Sequence, residues 1–166
     1  MSTAGPEFPI RVATPVDFAR LREIEAESDE IFASVGIGPF HDDDTEQHLG
    51  AAAVVFVAGE PPVGFVTVEV VDGAAHIWQL SVTPSMQGRG LGRALVALVS
   101  DWARAQGYTA VTLTTFRDVP WNGPFYERLG FSEQDRLTSG LAAIRQHERD
   151  IGDDEFGPRI AMRMDL

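Results

Sequence analysis

Cysteine is absent from the 166 residues, which excludes disulfide scaffolds, thiol nucleophiles, thiolate-held zinc and iron–sulfur clusters in one step. Lysine is absent too. All 13 basic residues are arginine, and against 25 acidic residues they leave a formal charge of −12, which repels a phosphate backbone and argues against nucleic acid as a partner. Apolar runs such as Ala51–Ala58 fall far short of the roughly 20 residues of a membrane span. The stretch Met1–Pro9 lacks a basic region followed by an apolar one. The expectation is a cytoplasmic protein with no membrane partner. His41, His48, His76 and His147 are dispersed, without metal-ligand spacing, so no metal is expected. Repeats, low-complexity tracts and linkers are missing as well. The chain therefore reads as a single domain over residues 1–166, with 1–9 as a loose tail. With 44% hydrophobic residues and 9% aromatics it has the material for a core.

What is there follows a clear hydrophobic pattern. Ile10–Ala13 reads as a short strand, and Thr14-Pro15-Val16-Asp17 supplies an N-cap, a proline and a capping-box acid for a helix to about Ser28. Phe40–Thr45 reads as an acidic turn and Glu46–Ala52 as a short helix. The β-rich runs Val54–Ala58 and Val63–Val71 are separated by Gly59-Glu60-Pro61-Pro62, and Asp72-Gly73 turns the second run into a third strand, His76–Val82. Gly90–Gln106 places Leu91, Leu95, Leu98, Val99 and Trp102 on one stripe, an amphipathic helix ended by Gly107. Ala110–Thr115 is the next strand, Pro124–Leu129 a short helix, and Gly130-Phe131 leads into another strand. Leu137–Arg149 reads as a helix and Arg159–Met164 as a last strand. The unit from His76 to Thr115 predicts a right-handed crossover between parallel strands within an α+β fold on a mixed sheet.

The chemistry gathers between the strand His76–Val82 and the long helix, in Thr83-Pro84-Ser85-Met86-Gln87-Gly88-Arg89-Gly90-Leu91-Gly92. Alternating glycines let a ligand approach the backbone, and the N–H groups of a first helical turn have no intrahelical partner, so the segment suits a phosphate. A ligand-free glycine turn is the plain alternative. Neither the Walker A pattern nor the dinucleotide fingerprint is present.

Gln87-Gly88-Arg89-Gly90-Leu91-Gly92 resembles motif A of the GNAT superfamily of acetyl-CoA-dependent N-acetyltransferases, Gln/Arg-x-x-Gly-x-Gly/Ala. It is preceded by Leu80-Ser81-Val82-Thr83-Pro84, similar to the family's Leu-x-Val-x-Pro strand ending. Pro124-Phe125-Tyr126-Glu127-Arg128-Leu129-Gly130-Phe131 resembles motif B. The resemblance runs from about Ile10 to Phe131. It implies a mostly antiparallel central sheet flanked by helices, with a V-shaped splay between the fourth and fifth strands. It also implies that backbone N–H groups from Gln87 to Gly92, helped by Arg93, hold the pyrophosphate of coenzyme A, with Arg89 either a phosphate contact or a solvated side chain. The backbone of Leu80, Ser81 and Val82 would pair with the pantetheine arm, an N–H near Leu80 polarising the thioester carbonyl.

Tyr126 matches the tyrosine that protonates the departing thiolate in many members, and a phenol suits that role. The asparagine often found seven residues ahead of it is Val119 here. Asn122, four ahead, either caps the short helix or contacts the cofactor. The attacking amine must first lose a proton, so a group titrating near neutrality is wanted. His76 stands where some lysine-acetylating members carry a glutamate base, and Glu69 on the neighbouring strand is the runner-up. The alternative for each is a structural or solvent-facing side chain. The resemblance places the acceptor pocket in Ile31–Asp44 and His147–Gly157, where the acidic segments 42–44 and 148–155 either attract a cationic amine or form solvated surface. The expected activity is acetyl transfer from acetyl-CoA to a primary amine of a small molecule. A protein terminus or lysine as acceptor, or a non-catalytic coenzyme A-binding module, are the alternatives, and a homodimer is left open.

Overall fold

In the computed structural model, residues 8–40 and 45–166 are described. Seven strands, β1 (Ile10–Val12), β2 (Val54–Ala58), β3 (Gly64–Val71), β4 (Ala74–Val82), β5 (Ala110–Phe116), β6 (Ser132–Glu133) and β7 (Arg159–Asp165), form one sheet in the order β1-β2-β3-β4-β5-β7-β6. Every pairing is antiparallel except β4–β5, which is the parallel pair expected from the intervening helix. The helices are α1 (Phe18–Ala33), α2 (Thr45–Ala51), α3 (Leu91–Ala105), α4 (Gly123–Arg128) and α5 (Ser139–Asp150).

Both faces of the inner strands are covered, which is why β2 and β3 read as nearly continuous apolar runs. Phe56, Ala58, Val66 and Val68 join Leu91, Leu95 and Val99 of α3 in the main core. On the opposite face Val55, Val57 and Phe65 meet Leu21 and Ile24 of α1 and Leu49 of α2. A third cluster, with Phe116 and Val119 at its centre and Phe32, Phe40 and Trp121 around it, closes the end of β5.

Three local expectations change. The Thr14–Asp17 segment opens as a single 3-10 turn before α1, its Asp17 carboxylate accepting the Thr14 N–H at 2.8 Å and both Arg11 terminal nitrogens at 2.7 and 2.8 Å. Helix α1 runs past Ser28 to Ala33, which carries Phe32 into the aromatic cluster. Phe8 packs against the main core and the Pro9 carbonyl accepts the Gly59 N–H at 2.8 Å, so these two residues of the expected tail are anchored. The remainder of that tail, and the acidic Asp42–Asp44, lie outside the described residues.

Candidate active site

The site begins where two strands part. β4 and β5 are paired only from Ala75↔Val111 to Ile77↔Leu113, after which β4 continues to Val82 and β5 to Phe116 without pairing to each other. This is the expected splay. The β3–β4 register jumps from Val68↔Ile77 to Thr67↔Gln79, so Trp78 is an extra residue in β4, a bulge at the very point of divergence. Bulges bend a strand and re-aim its side chains. Beyond it the backbone edge of β4 that would face β5 lacks a strand partner. A cavity of about 570 Å³ fills the wedge.

At one end of this cavity lies the glycine loop. Gly88 (φ 77) and Gly90 (φ 82) are left-handed, a conformation costly for residues with a Cβ, and Gly90 is the N-cap of α3. The N–H groups of Leu91, Gly92 and Arg93 are helix-start donors without intrahelical acceptors. Gln87 works within the loop instead, its N–H donating to the Pro84 carbonyl at 3.3 Å and its side-chain Nε2 to the Val82 carbonyl at 3.1 Å. A Cβ on Gly92 would sit 3.3 Å from Phe125 Cζ, so this glycine lets α4 close over α3. Arg93 and Arg128 border the cavity without ion-pair partners among the described residues, whereas Arg89 is exposed and does not border it. Arg128 went unnoticed in the sequence.

Tyr126 comes from α4 into the middle of the wedge, buried between Phe125 and Phe131 at centroid distances of 5.1 and 5.6 Å. Among the described residues no buried side-chain oxygen lacks a partner. The Tyr126 hydroxyl, which shares no hydrogen bond with a described residue, therefore reaches the cavity that it lines. Burial raises its pKa above that of an ordinary phenol, against a smaller lowering by Arg159. Asn122 borders the same cavity, but its side chain donates to the Trp121 carbonyl at 3.0 Å and does not cap α4.

His76 lines the cavity at the apex of the wedge, 1% exposed, its Nδ1 sharing a 2.8 Å hydrogen bond with Thr112 Oγ1. Burial drives its pKa down to about 4, with Glu148 pulling weakly the other way. That is well below the neutral range expected of it, because the paired part of β4 and β5 removes the water an imidazolium needs. Glu69 stands across from His76 in the β3–β4 register, yet it does not border the cavity and its Oε1 lies 3.3 Å from His48 Nδ1. His48 in turn stacks on Trp78 at 3.9 Å.

The far end of the cavity is walled by Phe32, Phe40, Trp78 and Trp121 together with carboxylates. Within the acidic 148–155 segment, Glu148 is buried and held by Arg145 at 2.9 Å, Arg159 at 2.6 Å and Thr114 Oγ1 at 2.9 Å, and Asp154 pairs with Arg145 at 2.7 Å. Part of that segment is thus an internal ion-pair network and not solvated surface. A second residue missed in the sequence is Asp29 of α1, which borders the cavity and whose pKa burial and then Glu25 raise to about 7. One acid within the run Glu23–Glu30 carries no local signal.

Comparison with known proteins agrees with this geometry. A curated relative, an uncharacterised N-acetyltransferase of Methanocaldococcus jannaschii, is 31% identical over 72 residues, 43% of this chain but only 32% of that protein. The PaiA N-acetyltransferase of Thermoplasma acidophilum, crystallised with coenzyme A, superposes with a TM-score of 0.70 at 15% identity, covering 96% of this chain and 99% of that one. The ribosomal-protein-S18-alanine N-acetyltransferase of Escherichia coli gives a TM-score of 0.70 at 20% identity over 96% of this chain and 94% of that one. At such identities these structures speak for the fold. The model of the acetyltransferase (GNAT) family matches residues 18–131, and the chain belongs to that family.

Proposed function

We propose that the protein transfers the acetyl group of acetyl-CoA to a primary amine carried by a small molecule. The observation that carries this reading is one cavity joining an anion-receptive helix start to an aromatic and acidic chamber, with a buried phenol between them. The donors at Gly88 to Arg93, with Arg93 and Arg128 at the rim, suit the diphosphate of coenzyme A. The open edge of β4 at Leu80, Ser81 and Val82 suits the amide-bearing pantetheine arm as an added strand, which brings the thioester to Tyr126. An N–H near Leu80 then stabilises the oxyanion as the amine attacks. Tyr126, kept protonated by burial, gives its proton to the departing thiolate. The coenzyme A in the structure of the Thermoplasma relative supports the cofactor. The aromatic and acidic lining of the chamber suits a small organic amine. Thiol release from acetyl-CoA across a panel of amines, with acetylated product identified by mass spectrometry, tests the reading. Coenzyme A binding without turnover on any amine would support a binding module instead.

A further inference from the structure

We propose that Asp29 receives the acceptor: its carboxylate binds the substrate's ammonium group and takes the proton that must leave before the nitrogen attacks. This rests on the acetyl-transfer reading above. Asp29 lies four residues past Glu25 on α1, so the two carboxylates share a helix face, and both border the chamber that opens onto Tyr126. Glu25 accepts the Thr45 hydroxyl, Glu148 is held by two arginines, and Asp153 has an interaction of its own. Asp29 has no hydrogen bond or ion pair among the described residues. A half-buried carboxylate beside a second one is partly desolvated and has no counter-ion among the described residues, and a cationic ligand supplies that partner.

The same surroundings make it a base. Burial first and Glu25 second bring Asp29 to about 7, where it accepts a proton better than an exposed carboxylate would, while His76 on β4 is pushed to about 4. The other titratable groups bordering the chamber are His147 and Glu148 on α5, Asp153 in the turn that follows, and Arg159 on β7. In the reaction the ammonium gives one proton to Asp29, and the freed lone pair forms the N–C bond as the carbonyl π pair moves to oxygen. Return of that pair breaks the C–S bond, and the thiolate takes the Tyr126 proton. The nitrogen then loses one of its two remaining protons to the Tyr126 oxygen through solvent, and Asp29 releases its own. Ammonium plus thioester thus becomes amide, thiol and one proton.

The test is kcat/KM against pH with acetyl-CoA and a panel of primary amines, phenethylamine and butane-1,4-diamine among them, for wild type, Asp29→Asn, His76→Gln and Glu69→Gln. Asp29→Asn should lose roughly 10²–10⁴-fold and the ascending limb near pH 7, with coenzyme A affinity unchanged by calorimetry, while Glu69→Gln keeps the limb. A wild-type rate and limb in Asp29→Asn overturns the proposal and leaves acetyl transfer standing. Absence of both coenzyme A binding and turnover in the wild type overturns the underlying reading, and this proposal with it. A second measurement needs no turnover: titration of ¹³C-labelled aspartate carboxyls should show one resonance with a midpoint near 7 that is missing in Asp29→Asn. An Asp29 midpoint in the ordinary carboxylate range overturns its role as base.

Discussion

Burial acts on Tyr126 and His76 in opposite directions and leaves both uncharged, since it raises the phenol's pKa and lowers the imidazole's. For Tyr126 this keeps the phenol protonated, as the proposed donor must be until the thiolate forms beside it. Tyr126→Phe should therefore lower kcat by about 10²-fold while coenzyme A affinity, measured by calorimetry, stays within about twofold of wild type. Unaltered turnover would hand the proton delivery to solvent. For His76 burial removes the usual reason to choose histidine as a base. Tyr126 was readable in the sequence because Tyr-x-x-x-Gly-Phe is a local pattern. The fate of His76 was not, since it depends on Thr112, 36 positions further along the chain, and on how tightly the two strands close.

At the scale of elements, glycine decides how closely the pieces of the cleft approach. Gly123 opens α4, and a Cβ there would run into the backbone carbonyl of Arg117 and sit 3.1 Å from the Phe116 carbonyl oxygen. Gly123→Ala should push α4 off the end of β5, costing about 1–3 kcal/mol as overpacking does, seen as a lowered Tm together with a loss of turnover. An unchanged Tm would show that α4 is free to move. The long helix, the Asp72-Gly73 hairpin and the glycine loop were legible because each rests on local chemistry: a 3.6-residue stripe, a left-handed turn pair, and positive φ. The wedge itself was not legible from periodicity. It appears only once Trp78 is seen as an extra residue, and a bulge inside an apolar run leaves the pattern His76–Val82 looking like an ordinary strand. Likewise the role of Glu148 stays open in the sequence between amine attraction and solvated surface, because its partner Arg159 lies beyond the helix end and the following turn.

For the whole molecule, buried His76 and half-buried Asp29 pull stability in opposite directions. His76 is lowered from 6.5 to about 4, so between those values the unfolded chain binds a proton that the folded one does not, and its contribution is lost as pH falls. Asp29 is raised from 3.8 to about 7, so over that span the folded chain holds the extra proton, and its contribution is lost as pH rises. The two oppose each other between about pH 4 and 6.5. Asp29→Asn should therefore gain a stability that rises with pH across that window, by at most about 1.4 kcal/mol per pH unit. His76→Gln should show the opposite slope, and the larger of the two, because solvent screens the partly exposed Asp29 carboxylate and not the buried imidazole. Parallel Tm–pH curves for the two variants would contradict this assignment.

The direct test of the central claim, that the wedge between β4 and β5 binds acetyl-CoA through the glycine loop, is calorimetric titration of coenzyme A into wild type, Gly90→Ala and Gly90→Glu. Both substitutions carry the same left-handed backbone cost, and neither Cβ meets an atom within 4 Å, so they differ in what projects toward the ligand. Wild type should bind at one site per chain, Gly90→Ala more weakly, and folded Gly90→Glu not measurably, because its carboxylate would occupy the place of the diphosphate. Wild-type affinity in folded Gly90→Glu would contradict the account.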